Sequence, residues 1–256
     1  MRFFRSAFFN LFFFASTALL ALYGIAAILL APRLVLRLPL QWARLELAAL
    51  RTLCGIRFTV LGKENLPGGP ALIASQHQST FDTIVWFLVV PHCSYVLKRE
   101  LTQTPLFGML LRPAGMIVID RKAGARAIRG LVRDVSAAMR AGRRVVIFPE
   151  GTRAEPDRPH PIQPGIAALA SVLDFPILPV TTDSGRFWGR RAFHKRPGEI
   201  RIAIHPPLPS GLSRKAVLAH LDALYRAGSS VDNSVGGPPS RLQAESSRKR
   251  EDVDFP

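Results

Sequence analysis

Residues 116–148 read MIVIDRKAGARAIRGLVRDVSAAMRAGRRVVIF. The two ends, 116–119 and 145–148, are short apolar runs rich in Val and Ile, of the length of a buried strand. Between them, residues 125–140 repeat at helical spacing. Ile128, Leu131, Val132, Val135 and Met139 share one face, while Arg126, Arg129, Arg133 and Arg140 sit mostly elsewhere. Gly142 follows as a C-cap. Strand, helix and strand in close succession are the unit of a sheet with helices packed on it.

The same kind of run recurs on both sides, at 56–61, 71–75, 94–97, 177–180 and 200–204. The pattern therefore predicts an α/β fold: a mixed, largely parallel open sheet flanked by helices, occupying residues 56–227. The tail from 228 to 256 is rich in Ser, Gly, Pro and charge and reads as disordered. There is no internal repeat, Walker loop, G-x-S-x-G elbow or G-x-G-x-x-G.

Residues 1–55 have a different character. Ser6 to Ala31 carry no charge, a stretch long enough as a helix to cross a hydrocarbon layer of about 30 Å. No small-residue cleavage site with a polar mature start follows, which argues against a secretory signal. Instead Pro32-Arg33 breaks the helix, and Trp42, Leu45, Leu50 and Leu53 alternate with Arg44, Glu46 and Arg51 in an amphipathic pattern. The expectation is an N-terminal membrane-inserting helical segment, either a single span or a hairpin dipped into one leaflet. The larger basic cluster, Arg33, Arg37 and Arg44, follows the apolar run and assigns the body to the cytoplasmic side of the membrane.

A net charge of +16 calls for an acidic partner class. No Lys/Arg run forms the aromatic-interleaved platform of a single-strand binder, and no zinc-finger or RNP spacing occurs, so lipid or phosphate is preferred to nucleic acid. The two cysteines, Cys54 and Cys93, form neither a CxxC nor a disulfide framework and read as packed hydrophobes in a reducing setting.

The chemistry centres on SQHQSTFD, residues 75–82, directly after the run at 71–75. A His and an Asp five residues apart point roughly 140° away from each other on one helix, from 100° per residue. They meet only if His77 lies in the turn before a helix and Asp82 in its first turn, which is where Ser79-Thr80 as N-cap residues put them. Asp82 then accepts the Nδ1 proton of His77 and leaves Nε2 as a general base. Three further strand ends finish in cations: Lys98, Arg121, and Arg153 in the hexapeptide FPEGTR (148–153). Together they place positive charge along one edge of an open sheet, where ligands of such folds bind, and Arg153 offers a fork suited to phosphate.

HQSTFD, the segment KREL…GMIVIDR, FPEGTR and FPILPV (175–180) resemble, in order, the four motif blocks of the glycerolipid acyltransferase family, over about residues 56–210. FPEGTR carries most of the weight, with a chance expectation on the order of 10⁻⁶ to 10⁻⁵. Gln76 stands where many members have Asn.

The resemblance implies transfer of a fatty acyl group from acyl-CoA or acyl carrier protein to the 2-hydroxyl of lysophosphatidic acid at a membrane. His77 and Asp82 would be the catalytic pair. Lys98, Arg121 and Arg153 would hold the acceptor phosphate, and Glu150, Gly151 and Thr152 would shape its pocket. No metal or other cofactor is implied, because a thioester is already activated. Another lysolipid acceptor, such as a lyso-ornithine lipid, is the alternative within this class. A non-enzymatic basic membrane-docking protein is the alternative outside it, but that leaves the His/Asp pair without a purpose.

Overall fold

The computed structural model describes residues 1–156 and 158–230. Seven strands form one sheet: β1 (Ile56–Leu61), β2 (Leu72–Ser75), β3 (Ser94–Lys98), β4 (Ile117–Ile119), β5 (Val145–Ile147), β6 (Ile177–Thr182) and β7 (Gly198–Ile204). Their order is β1-β7-β6-β2-β5-β3-β4. Every pairing is parallel except β6 with β7. The expected mixed, largely parallel sheet is thus present, and each expected run is a strand within two residues of its bounds.

Most central strands are buried on both faces, which is why they read as continuous apolar runs. In β2, Ile73 faces one core while Leu72 and Ala74 face the other, and in β5 Val146 opposes Val145 and Ile147 in the same way. The second core lies under α6 (Ala125–Arg140), α7 (Pro164–Ala170) and α8 (Arg214–Ser230). Leu131, Val135 and Met139 of α6 are buried there, each worth about 1.5–3 kcal/mol relative to exposure. The helix stops in a Schellman turn: Gly142 adopts φ +81°, its N–H reaches Met139 O, and Arg143 N–H reaches Ala138 O. Gly228 to Ser230 belong to α8; the rest of the expected tail lies outside the described residues.

The first core lies under the N-terminal segment: α1 (Arg2–Leu30), α2 (Pro32–Val35) and α3 (Leu38–Cys54), together with α4 (Asp82–Val89). Among the described residues α1 is the one helix long and apolar enough to cross a membrane. It does not project from the domain. Ser6, Phe9, Ala21, Gly24 and Ala27 are buried along one side, from the loop before β7 to α5 (Phe107–Leu111). Phe4, Phe8, Leu11, Phe14, Leu19, Leu22 and Leu29 are exposed along the other. That is helical periodicity over the whole length.

Candidate active site

Four parallel strands, β2, β3, β4 and β5, end at the same edge of the sheet, and the segments that follow them build the site. After β2 the chain does not enter a helix at once. Residues 76–81 form an irregular turn, and α4 begins at Asp82, later than a Ser79 or Thr80 N-cap would start it. Ser79 Oγ instead accepts the N–H of Phe81 within that turn, 3.1 Å away. The turn folds His77 back over the start of α4. Its Nδ1 lies 3.2 Å from Asp82 Oδ2, the contact expected for the pair. Asp82 Oδ2 also accepts the backbone N–H groups of Gln78 at 2.7 Å and Ser79 at 2.8 Å. Two donors that cannot change character therefore fix this oxygen as an acceptor, so Nδ1 must be the donor. The tautomer with Nε2 unprotonated follows.

The imidazole is held from three further directions. It stacks on Phe148, with ring centroids 4.1 Å apart and planes 19° apart. The His77 carbonyl accepts from Ala154 N–H at 2.8 Å. The His77 N–H donates to Glu150 Oε2 at 2.9 Å, while Glu150 Oε1 accepts from His160 N–H at 3.2 Å. Glu150 is buried, and its carboxylate clamps backbone behind the imidazole instead of standing on the cleft wall. Burial pushes this carboxyl up to about 7, against the two N–H donors, which favour its charge.

In front of His77 opens a cleft of about 520 Å³. Lys98, Arg121, Gly151, Thr152 and Arg153 all line it, so the strand-end cations share one cleft with the imidazole. Arg121 donates to Gly151 O at 2.8 Å. Gly151 has φ +70°, and a Cβ there would sit 2.3 Å from Arg121 Nη1, so only glycine admits the contact. Burial lowers the Arg153 guanidinium below the usual arginine range, nearby Asp82 opposes this and Arg190 reinforces it.

Arg190 and Arg191 also line the cleft and escape the sequence reading. They belong to RFWGRRAFHKR (186–196), which does interleave cations with aromatics. Trp188 of this stretch packs edge-on against Phe9 and Phe13 of α1. Gln76 makes its bonds away from His77, accepting from Thr182 N–H and donating to Tyr225 O, so the residue that departs from the family pattern does not touch the imidazole. Cys54 and Cys93 are buried and free, and burial pushes Cys93 up to about 12. Neither has thiolate character. No group of three or more His, Cys, Asp or Glu suited to a metal occurs among the described residues.

A second cavity, about 390 Å³ and almost wholly apolar, opens from the same junction toward the N-terminal helices. Phe13, Leu20 and Ala21 of α1, Leu38 and Trp42 of α3, and Leu110 of α5 enclose it. Thr83, Leu97, Leu101 and Arg153 line both spaces. On its wall Trp42 Nε1 donates to Thr17 Oγ1 at 3.0 Å. The site can therefore accept an anion, a hydrocarbon chain and a proton at one point.

The acyltransferase family profile matches residues 57–183. The chain is 34% identical over 203 residues to the 1-acyl-sn-glycerol-3-phosphate acyltransferase of Pseudomonas aeruginosa, covering 77% of this chain and 79% of that one. It is 32% identical over 183 residues to 1-acyl-sn-glycerol-3-phosphate acyltransferase alpha of Homo sapiens, covering 70% and 65% respectively. The crystal structure of the 1-acyl-sn-glycerophosphate (LPA) acyltransferase of Thermotoga maritima shares the fold, with a TM-score of 0.72 at 20% identity over 91% of this chain and all of that one. Matched by this profile and 34% identical to a family member over 79% of that protein's length, the chain belongs to the acyltransferase family.

Proposed function

We propose that the protein transfers a fatty acyl group from a thioester donor, acyl-CoA or acyl carrier protein, to the 2-hydroxyl of 1-acyl-sn-glycerol-3-phosphate, giving phosphatidic acid for phospholipid synthesis. The observation that carries this reading is the position of His77, oriented by Asp82 in a cationic cleft that shares Thr83, Leu97, Leu101 and Arg153 with the apolar cavity.

In this reading the acceptor phosphate lies among Lys98, Arg121 and Arg153, and the donor chain enters the apolar cavity toward α1 and α3. The acceptor hydroxyl gives its proton to His77 Nε2 as its oxygen attacks the thioester carbonyl. The carbon–sulfur bond then breaks, and the imidazolium returns the proton to the departing thiolate. Asp82 stabilises the imidazolium, and general-base help of this kind is worth typically 10²–10⁴-fold. No enzyme nucleophile is used, which fits the buried cysteines.

The protein acts at a membrane, and its exposed apolar stripe on α1 supports an in-plane seat in one leaflet rather than a span. The basic cluster after α1 supports the cytoplasmic face of a bacterial inner membrane.

The test is acyl transfer by purified protein with labelled acyl-CoA or acyl carrier protein and a panel of lysolipids. Transfer to lysophosphatidic acid, reduced at least tenfold by His77→Ala, is expected. Equal transfer to phosphate-free lysolipids would overturn the acceptor assignment.

A further inference from the structure

We propose that residues 188–196 form a second lipid-contacting element. On this reading the loop seats beside α1 on an anionic bilayer and holds Arg190 and Arg191 at headgroup depth, beside the mouth of the catalytic cleft.

The argument starts from one exposed ring. Phe193 is 42% exposed and packs against Phe3 of α1, ring centroids 5.2 Å apart. Phe3, Phe4 and Phe8 are themselves exposed, so the loop continues the apolar stripe of α1 sideways. An isolated exposed Phe needs no explanation, but a contiguous patch bordered by cations marks a contact surface.

The loop is held in that position from below. Lys195 is 4% exposed; its Nζ donates to Phe193 O and to Asn10 Oδ1 of α1, and lies 5.4 and 5.0 Å from the Phe9 and Trp188 ring centroids. Its backbone N–H donates to Ser6 Oγ at 3.0 Å, and Asn10 Nδ2 donates to Phe193 O at 3.3 Å. One cation is thus spent as an internal pin, while Arg190, Arg191 and Arg196 of the same loop remain exposed. Aromatic rings flanked by arginines suit the boundary between acyl chains and anionic headgroups, where each basic residue adds attraction. Continuity with α1 and this charge select a lipid surface as the occupant. Arg190 and Arg191 also line the cleft, so the same element that touches the bilayer faces the incoming anionic acceptor.

The test uses the full chain with vesicles containing about 30% phosphatidylglycerol, enough to give a negative surface. Phe193→Asn should lower the vesicle partition coefficient about fivefold, the loss expected for one partly inserted Phe ring. The kcat/KM for acceptor presented in vesicles should fall in parallel, while kinetics with a water-soluble short-chain acceptor stay unchanged. As an independent readout, Phe193→Cys can be labelled with an environment-sensitive fluorophore, because Cys54 and Cys93 are buried and do not compete. Its emission should shift to the blue on vesicles.

An unchanged partition coefficient, no blue shift, or an equal loss with the soluble acceptor would each overturn the proposal. A change confined to self-association would do the same and make the patch a contact between copies. The kinetic arm rests on the acyl-transfer reading, whereas partition and fluorescence do not. Protein that binds through Phe193 but acylates nothing would therefore sink that reading alone.

Discussion

Asp82→Asn separates what the carboxylate does by charge from what it does by geometry. In serine-protease triads the same change costs about 10⁴-fold, because the amide turns its NH₂ toward the imidazole and holds the wrong tautomer. Here that rotation is blocked. The oxygen facing His77 Nδ1 also accepts the N–H groups of Gln78 and Ser79 at 2.7 and 2.8 Å, so an NH₂ placed there would meet two donors. The amide should keep its oxygen in place, keep all three hydrogen bonds and keep the tautomer. What it loses is the charge opposite a forming imidazolium. A hydrogen bond to a charged group contributes about 1.5–3 kcal/mol, so kcat/KM should fall roughly 10- to 150-fold. Asp82→Ala should be worse in both respects. It frees the imidazole and strands two buried N–H groups at about 1–3 kcal/mol each, a visible drop in Tm. Steady-state kinetics and thermal melts of both variants beside His77→Ala provide the check. If Asp82→Asn melts like wild type yet is as inactive as His77→Ala, the convergent donors do not hold the tautomer and the reasoning fails.

The remaining predictions concern the rest of the site. Arg153→Lys keeps charge but loses the fork, so kcat/KM for lysophosphatidic acid should fall at least about tenfold while the acyl-donor KM barely moves; an effect confined to the donor would reassign this arginine. Glu150→Gln can accept from only one of the His77 and His160 N–H groups and should lower both Tm and kcat. Because the Glu150 carboxyl is raised from 4.5 to about 7, its contribution to stability is fully present below 4.5 and is lost as pH rises through 7. Wild type should therefore lose stability between about pH 5 and 8 relative to Glu150→Gln, and parallel melting curves across that range would contradict this. Gly24 lies where an added Cβ would approach Leu38 and Leu110 to 2.9 Å, and both line the apolar cavity. Gly24→Leu should push them inward and shift donor preference to shorter chains, which competition between acyl donors of graded length would reveal.

Two demands meet at this sheet edge for a topological reason. Parallel strands present all their C-terminal ends on one side, so His77, Lys98, Arg121 and Arg153 arrive there from β2, β3, β4 and β5 without any helix having to carry them. The helices then divide the surroundings. Those on one face, α6 and α7, border the open cleft through Ile128, Leu131 and Ile166. Those on the other, α1, α3 and α5, line the apolar cavity. In the reading proposed above, the acceptor phosphate and the donor chain are thus served from opposite faces of one sheet, next to the Thr83, Leu97, Leu101 and Arg153 wall that both spaces share.

The elements and the contact between His77 and Asp82 are legible in the sequence because both rest on local chemistry. Short Val/Ile runs bounded by breakers mark strands, and Leu131, Val135 and Met139 at helical spacing mark α6, whose bounds the pattern predicts. The turn that folds His77 back onto Asp82 spans five residues, so its consequence could be reasoned from spacing alone. Two other features could not. Glu150 sits in FPEGTR and reads as a pocket residue, yet one of its oxygens accepts the N–H of a residue 73 positions earlier and the other that of His160. Nothing local in the RFWGRRAFHKR stretch says where its rings go. They go to α1, through Ser6 and Lys195, 189 positions apart. The N-terminal run likewise reads as an anchor, because its Phe and Leu content satisfies a bilayer and a protein core equally well. Only the contacts of Phe9, Phe13 and Gly24 separate its protein-facing side from its exposed one, and that separation depends on the whole chain being folded.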